Sequence, residues 1–215
     1  MEEVCKQLAV ALNKNNMAFY YAETKDDAVG IVKSLLKKGE IIGMGGSRTI
    51  EECGVLALVK NGDYNFLDRC NCTDDMAKQH LCHRMLTADT FLTSTNAITL
   101  DGVLYNVDGN SNRVSNIAYG AKQVIVVAGK NKIVSDLSQA ILRVKTIAAP
   151  KNAQRMHTNT PCEFSGKCIS LNNPNSTLEE GCDSEKRICC NYLISATQRY
   201  KDRIKVILVN EELGF

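Results

Sequence analysis

The segment TSTNAITLDGVLYNVDGNSNR, residues 93–113, gathers small hydroxyls, amides, two Asp-Gly pairs and an arginine between apolar runs. Asn and Asp favour turns, and glycine permits the close approach of a ligand. Arg113 carries a planar fork of donors that fits a carboxylate or a phosphate. This stretch therefore predicts one wall of a site for a small anionic molecule, with the polar groups Thr95, Asn96, Asp108, Asn112 and Arg113.

The two Asp-Gly pairs of this segment favour different roles. Asp101-Gly102 lies between the strand-like runs AITL and VLYNV, which is typical of the tight turn of a β-hairpin. Asp108-Gly109 follows the returning strand and precedes a helix predicted over RVSNIAYG. A glycine-containing helix entry after a strand is where α/β proteins usually bind ligands.

Candidates for catalysis are weak in this sequence. Asp108 and Asp101 are the available acid–base groups, although either carboxylate could equally stabilise a turn. Glu51 is a weaker candidate for a nucleophile. His80 and His83 lie on a predicted helix away from these loops. No nucleophile stands beside a base, so the catalytic residues, if there are any, are unknown from the sequence.

A glycine loop, GMGGS at residues 43–47, follows a short apolar strand and precedes a helix that begins at Ser47 or Thr49. Converging backbone N–H groups and the helix dipole favour an anion at such a place, although a simple strand-to-helix turn explains the glycines equally well. The third glycine of the dinucleotide motif and the Lys-Ser/Thr of the P-loop are both missing. The sequence therefore predicts no nucleotide cofactor.

Ten cysteines are present, and five of them fall between residues 162 and 190. Four thiolates at Cys162, Cys168, Cys182 and Cys189 predict a tetrahedral site for zinc or an iron–sulfur cluster, which would supply folding energy that this irregular segment lacks. Redox-active or disulfide-forming thiols, or chemically inert cysteines, are the alternatives. Cys190 does not easily share a ligand face with Cys189, because neighbouring side chains of an extended chain point in opposite directions.

Strand-like and helix-like runs alternate along the chain, which predicts an α/β fold with a mainly parallel sheet between helices, a three-layer sandwich. QVIVVAG, residues 123–129, is typical of a strand covered on both faces, and SDLSQAILRVKTIAAP predicts a helix that ends at Pro150. We expect one domain over residues 1–215, with a Cys-rich irregular insertion at about 156–190. At the strand ends the glycine loop and the Asp108 loop would face one crevice.

Composition excludes several classes of protein. The chain has 215 residues, of which 44% are hydrophobic and 23% are charged, and a net charge of +2 without a basic tract. Nothing therefore points to nucleic acid or to a membrane surface. The N-terminus begins with acidic residues and has helical spacing of its apolar residues, unlike a secretory signal, so we expect a cytoplasmic protein. The sequence leaves the formation of a homo-oligomer open.

Several longer motifs carry a resemblance to a known family. They include GMGGSRTIEECGV, KQVIVVAGKNKIV, IAAPKNAQR, TPCEFSGKC and RIKVILVNEELGF, together with the segment described first. Over nearly its whole length the chain resembles the lactate-utilisation protein family, the LUD domain. The resemblance implies a fold similar to the sugar-isomerase and CoA-transferase superfamily, in which glycine loops at strand ends bind phosphosugars or CoA esters.

The resemblance also implies a cytoplasmic role in lactate use, in which iron–sulfur and flavin-type partner proteins take part in oxidising L-lactate to pyruvate. Carried over position by position, it marks the glycine-loop residues Gly45, Gly46 and Ser47 and the polar residues Asn96, Asp101, Asp108 and Asn112. Many relatives of this branch have their third and fourth cysteines close behind the second. Here the insertion ISLNNPNSTLEEG displaces Cys182.

Three functions remain open. The leading hypothesis is that the chain is a component of a lactate-oxidising system and binds a small anion in its crevice. In this hypothesis the chain does not act as an oxidoreductase on its own. The second is a stand-alone isomerase or acyl-CoA transferase that acts on a phosphosugar or a CoA ester. The third is a metal or redox sensing module that uses the cysteine cluster.

Overall fold

The computed structural model describes residues 1–215. Its strands are β1 (Ala18–Ala22), β2 (Ile41–Met44), β3 (Asn65–Phe66), β4 (Thr90–Thr93), β5 (Ala97–Thr99), β6 (Leu104–Asp108), β7 (Gln123–Gly129), β8 (Ile133–Val134), β9 (Asn191–Ser195) and β10 (Ile204–Val209). Its α-helices are α1 (Glu2–Lys14), α2 (Lys25–Leu35), α3 (Arg48–Glu52), α4 (Val55–Asn61), α5 (Asp75–Met85), α6 (Asn112–Ala118), α7 (Leu137–Arg143), α8 (Ala149–Met156) and α9 (Pro161–Ser165). Each helix is too short or too polar to span a bilayer.

Six strands form a parallel sheet, which we call the main sheet, in the order β1-β10-β7-β4-β2-β3. In its centre, Val124 of β7 aligns with Ile204 of β10 on one side and with Phe91 of β4 on the other. Parallel neighbours cannot be joined by a tight hairpin, so helices form most of the crossovers. The predicted α/β architecture with a mainly parallel sheet is confirmed.

Helices cover both faces of the main sheet. Val126 of β7 packs in a cluster with Leu8 and other residues from α1, α5 and α6. The next residue, Val127, faces the opposite side and packs in a second cluster with Val32 and Ile50 from α2 and α3. Burial of a valine side chain contributes roughly 1.5 kcal/mol or more, and β7 is buried along its length after Gln123. The prediction of a strand covered on both faces is confirmed.

Four further strands form a second, mixed sheet in the order β8-β5-β6-β9. Strands β5 and β6 pair antiparallel, as do β6 and β9, whereas β5 and β8 are parallel. Tyr105 of this sheet belongs to a buried cluster with Ala140 of α7 and with Val144, the residue that follows α7. Strand β6, which ends at Asp108, thus belongs to a different sheet from β2, which leads into the glycine loop.

The sequence predicts that the helix over SDLSQAILRVKTIAAP ends at Pro150. In the structure the chain remains helical as far as Met156, so that prediction is wrong. Helix α7 is followed by a π-helical turn, Val144–Ala148, and Pro150 then stands in the first turn of α8. A proline ring clashes with the carbonyl four residues earlier in a regular α-helix, but the first turn of a helix tolerates it. The π-turn restarts the hydrogen-bond pattern, so the chain continues as a helix.

The turn between β5 and β6 packs closely on α1 and offers a test of this contact. Gly102 has a φ of 78°, and a Cβ atom there would lie 2.8 Å from the backbone carbon of Ala11. Gly39 has a similar φ of 74° with open space around it. We expect Gly39→Ala to cost about 1 kcal/mol through backbone strain alone. Gly102→Ala should cost about 1–3 kcal/mol more because of overpacking.

Urea unfolding followed by circular dichroism measures both variants. Equal losses for the two variants would show that α1 yields to the added methyl group and does not pack rigidly on the turn.

Candidate functional site

A large cleft of ≈ 810 Å³ lies between the glycine loop and the loop that follows β6. Residues from the loop after β4, the π-helical turn, α8 and the segment 185–188 complete its walls, and we call it the central cleft. Seven of the eight ligand-binding residues expected from the sequence line it, namely Gly46, Ser47, Thr95, Asn96, Asp108, Asn112 and Arg113. The two loops meet there although they come from different sheets.

Gly45, the eighth of these residues, lies behind the wall of the cleft. A Cβ atom at this position would stand 3.2 Å from Cδ of Arg113. The missing side chain therefore makes room for the stem of Arg113.

Ser47 begins the helix α3 by accepting a hydrogen bond from Ile50 N at 3.3 Å. Since α3 has only five residues, the positive charge of the cleft has to come mainly from side chains.

Arg113 does not present a free guanidinium to the cleft. Its Nη1 donates to Ser94 O at 3.2 Å and to Asn106 Oδ1 at 2.9 Å. Its Nη2 donates to Asn96 Oδ1 at 2.9 Å and to Val107 O at 2.6 Å. The planar fork thus binds four protein oxygens, two from β6 and two from the loop between β4 and β5, and it fixes the wall of the cleft.

Other expected residues are also partly engaged in this wall. The side chain of Thr95 donates to Ala97 O and Tyr105 O at 3.0 and 3.2 Å. Asn96 Oδ1 accepts from Val107 N at 2.8 Å in addition to its bond with Arg113. Only Asn112 makes no strong side-chain bond, because its Nδ2 reaches Cys82 Sγ at 3.7 Å. Asn112 is accordingly the side chain of this group with most capacity for a ligand.

A lysine that the sequence did not single out lies in the cleft. Lys132 ends the turn after β7 and is only 3% exposed. Its Nζ donates to Thr49 Oγ1 at 2.7 Å and to Ser94 Oγ at 2.9 Å. Burial, together with the nearby positive charges of Arg143 and Arg113, lowers the pKa of Lys132 to about 7. Lys132 is therefore a buried amine that is protonated, and so positively charged, below about pH 7.

Positive charge is concentrated in and behind the cleft. Arg143, 6% exposed, donates from Nε to Asn131 O and from Nη1 to Asn96 O, and burial lowers its pKa. Neither Arg143, Lys132 nor Arg113 takes part in an ion pair with a carboxylate. The basic residues that line the cleft are Arg48, Arg69, Arg113, Lys132, Arg155, Lys186 and Arg187, and the acidic ones are Glu51, Asp108 and Glu185.

The three weak catalytic candidates occupy different places. Asp101 lies in the hairpin turn, where Thr99 donates to its carboxylate, and it is not part of the cleft. Asp108 lines the cleft, but its Oδ2 accepts from Arg113 N and Val114 N at the start of α6. Glu51 lines the cleft and pairs with Arg48 at 3.3 Å. None of the three stands beside a nucleophile that it could activate.

Cys162, Cys168, Cys182 and Cys189 line one small cavity, which we call the cysteine cavity. Cys190 is exposed and does not line it. All of these thiols are free of disulfides. As the side chains stand, no three histidine, cysteine or acidic residues of the chain form a group that could hold one metal ion.

A family model described as the LUD domain matches residues 5–209. The structure is similar to the crystal structure of a DUF162 family protein from Deinococcus radiodurans, with a TM-score of 0.53, 15% identity and 97% of each chain covered. It is also similar to ribose 5-phosphate isomerase A from Methanocaldococcus jannaschii, with a TM-score of 0.36, 14% identity, and 82% of this chain and 79% of that chain covered. No curated protein matches the sequence.

The four hydrogen bonds of the Arg113 guanidinium predict that this residue stabilises the fold. We expect Arg113→Lys to lower the free energy of unfolding by about 2–4 kcal/mol, because one ammonium cannot reach four oxygens in a plane. Arg84, an exposed arginine of α5, provides the control, and Arg84→Lys should change stability by less than about 0.5 kcal/mol. Thermal and urea unfolding measure both. A fully stable Arg113→Lys protein would contradict this role.

Proposed function

Because the chain belongs to the LUD domain family, we propose that it is a component of a cytoplasmic system that oxidises L-lactate to pyruvate and that it binds a small anionic ligand in the central cleft. The proposal that the cleft binds an anion rests on the buried positive charge of Lys132. This side chain lines the cleft, is only 3% exposed, and has no carboxylate partner.

Burial of an unpaired charge is costly, so a protein that retains one in a cleft gains when an anion enters. The two hydroxyls that accept from Lys132 leave a third N–H of the ammonium for a ligand. A carboxylate placed there also lies close to Arg113 and Arg143, whose positive charges already depress the pKa of Lys132. A 2-hydroxy or 2-oxo acid is small enough and has the required charge.

Oxidation of lactate to pyruvate releases two electrons and two protons. The cleft is lined by lysine, arginine, amide, hydroxyl and carboxylate groups, none of which is an electron acceptor. We therefore propose that iron–sulfur or flavin-type partner proteins take the electrons, and that this chain contributes recognition of the anion.

A second function, that of a stand-alone isomerase or acyl-CoA transferase, is favoured by one observation. An amine with a pKa of about 7 is suited to proton transfer at neutral pH. Lys132 would then be the base that the sequence did not supply. Turnover of a phosphosugar or a CoA ester by the isolated protein, abolished in Lys132→Met, would favour this function over recognition alone.

Calorimetric titration with L-lactate, pyruvate, inorganic phosphate, a phosphosugar and a CoA ester tests the proposed function. We expect binding of L-lactate or pyruvate, weakened at least about tenfold in Lys132→Met, since an ion pair with a buried partner contributes well over 1 kcal/mol. Lys151→Met, at an exposed position of α8 outside the cleft, should bind as the unaltered protein does. Binding that is equal in the two variants would rule out the Lys132 site.

The pH dependence of binding follows from the lowered pKa of Lys132. The cation exists in the free protein below about pH 7, so affinity for the anion should be highest there and should fall by about tenfold per unit above it. Calorimetry between pH 6 and 9 measures the slope. His157→Gln, which alters the histidine of the cleft, should keep this dependence, and Lys132→Met should remove it.

A further inference from the structure

We propose that the cysteine cavity binds a [4Fe–4S] cluster through Cys162, Cys168, Cys182 and Cys189. These residues lie on four separate pieces of the irregular segment: helix α9, the residue before the turn Ile169–Asn172, a loop, and the residue before Cys190 and β9. Their spacing along the chain is wide, yet all four line the same cavity. Four cysteine thiolates are the usual ligand set of such a cluster.

Three of the four sulfurs already have a hydrogen-bonding neighbour. Thr160 Oγ1 lies 3.4 Å from Cys162 Sγ, and Ser170 Oγ lies 3.3 Å from Cys168 Sγ. Arg187 Nε donates to Cys189 Sγ at 3.3 Å. Hydrogen bonds to the ligand sulfurs stabilise their charged form and tune the potential of an iron–sulfur cluster.

Two cations stand at the cavity without a carboxylate partner. Lys145 lines it, is 7% exposed, and donates only to Thr177 O at 2.7 Å. Arg187 donates to Cys182 O, Glu179 O and Tyr192 Oη in addition to Cys189. Four thiolates bring more negative charge than the metals neutralise, and two unpaired cations beside them would offset that charge. The carboxylate at the cavity, Glu180, is exposed.

The remaining wall of the cavity is mainly apolar. Tyr105, Val144, Ala149, Leu178 and Tyr192 line it. An apolar shell excludes water and is the surrounding in which iron–sulfur clusters are stable. A single zinc ion draws four sulfurs to one point at Zn–S distances of about 2.3 Å, and no three of these cysteines form a group that could hold one metal ion. A cluster distributes its four ligands over several iron atoms, so it suits four cysteines around one cavity better than a single ion does.

Anaerobic reconstitution with iron and sulfide tests the proposal on the full chain. We expect about four iron and about four sulfide per chain, a broad visible absorption band that bleaches on reduction, and an electron paramagnetic resonance signal in the reduced protein. Cys168→Ala should lose most of the iron. Cys190→Ala, at the neighbouring exposed cysteine outside the cavity, should retain all of it.

A second variant keeps the test decisive if Cys168→Ala fails to fold. Ser170→Ala removes the hydroxyl beside Cys168 Sγ, and it should bind the cluster with a reduction potential more negative than that of the unaltered protein. Three results would overturn the proposal. They are one tightly bound zinc that iron cannot replace, no iron after reconstitution, or an unchanged iron content in folded Cys168→Ala protein.

Discussion

The guanidinium of Arg113 holds the wall of the central cleft together. It joins carbonyl and amide oxygens from the loop after β4 and from β6, which belong to two different sheets. The start of helix α6 is fixed at the same residue, because the side chain of Asp108 accepts a hydrogen bond from the backbone N–H of Arg113. Gly45 lies on the other side, where a Cβ atom would crowd the stem of Arg113. The position of the cleft between the sheets depends on this one group.

Much of the fold could be predicted because its signals are local. The apolar β-branched run Gln123–Gly129 indicates a buried strand without knowledge of its neighbours. Thr24 and Ser47 start the helices α2 and α3, as cap residues do. The second sheet was not predicted, because the pairing of β6 with β9 joins residues more than eighty positions apart. The two loops of the cleft were expected to meet at one sheet, and they meet across two.

The candidate site was less predictable for the same reason. Lys132 follows a buried strand within GKNKIV, and that position is its only signal, since lysine is usually solvated. Its burial depends on Thr49 and Ser94, which come from elsewhere in the chain. Likewise, the four cysteines gathered in one irregular segment predict a shared ligand set, but the cations beside them become visible only in three dimensions. Arg113 was predicted to bind an anionic ligand, whereas in the structure its guanidinium binds four protein oxygens that the sequence did not indicate.

The π-helical turn Val144–Ala148 separates the two chambers of this region. Val144, the first residue of the turn, and Ala149, the residue that follows it, line both the central cleft and the cysteine cavity. A π-turn packs less regularly than an α-helix and commonly occurs at functional sites. If an occupant of one chamber shifts this partition, it changes the affinity of the other chamber. Thermodynamic linkage would then require the reverse effect to be equal in free energy, so binding in one chamber could be measured through its effect on binding in the other.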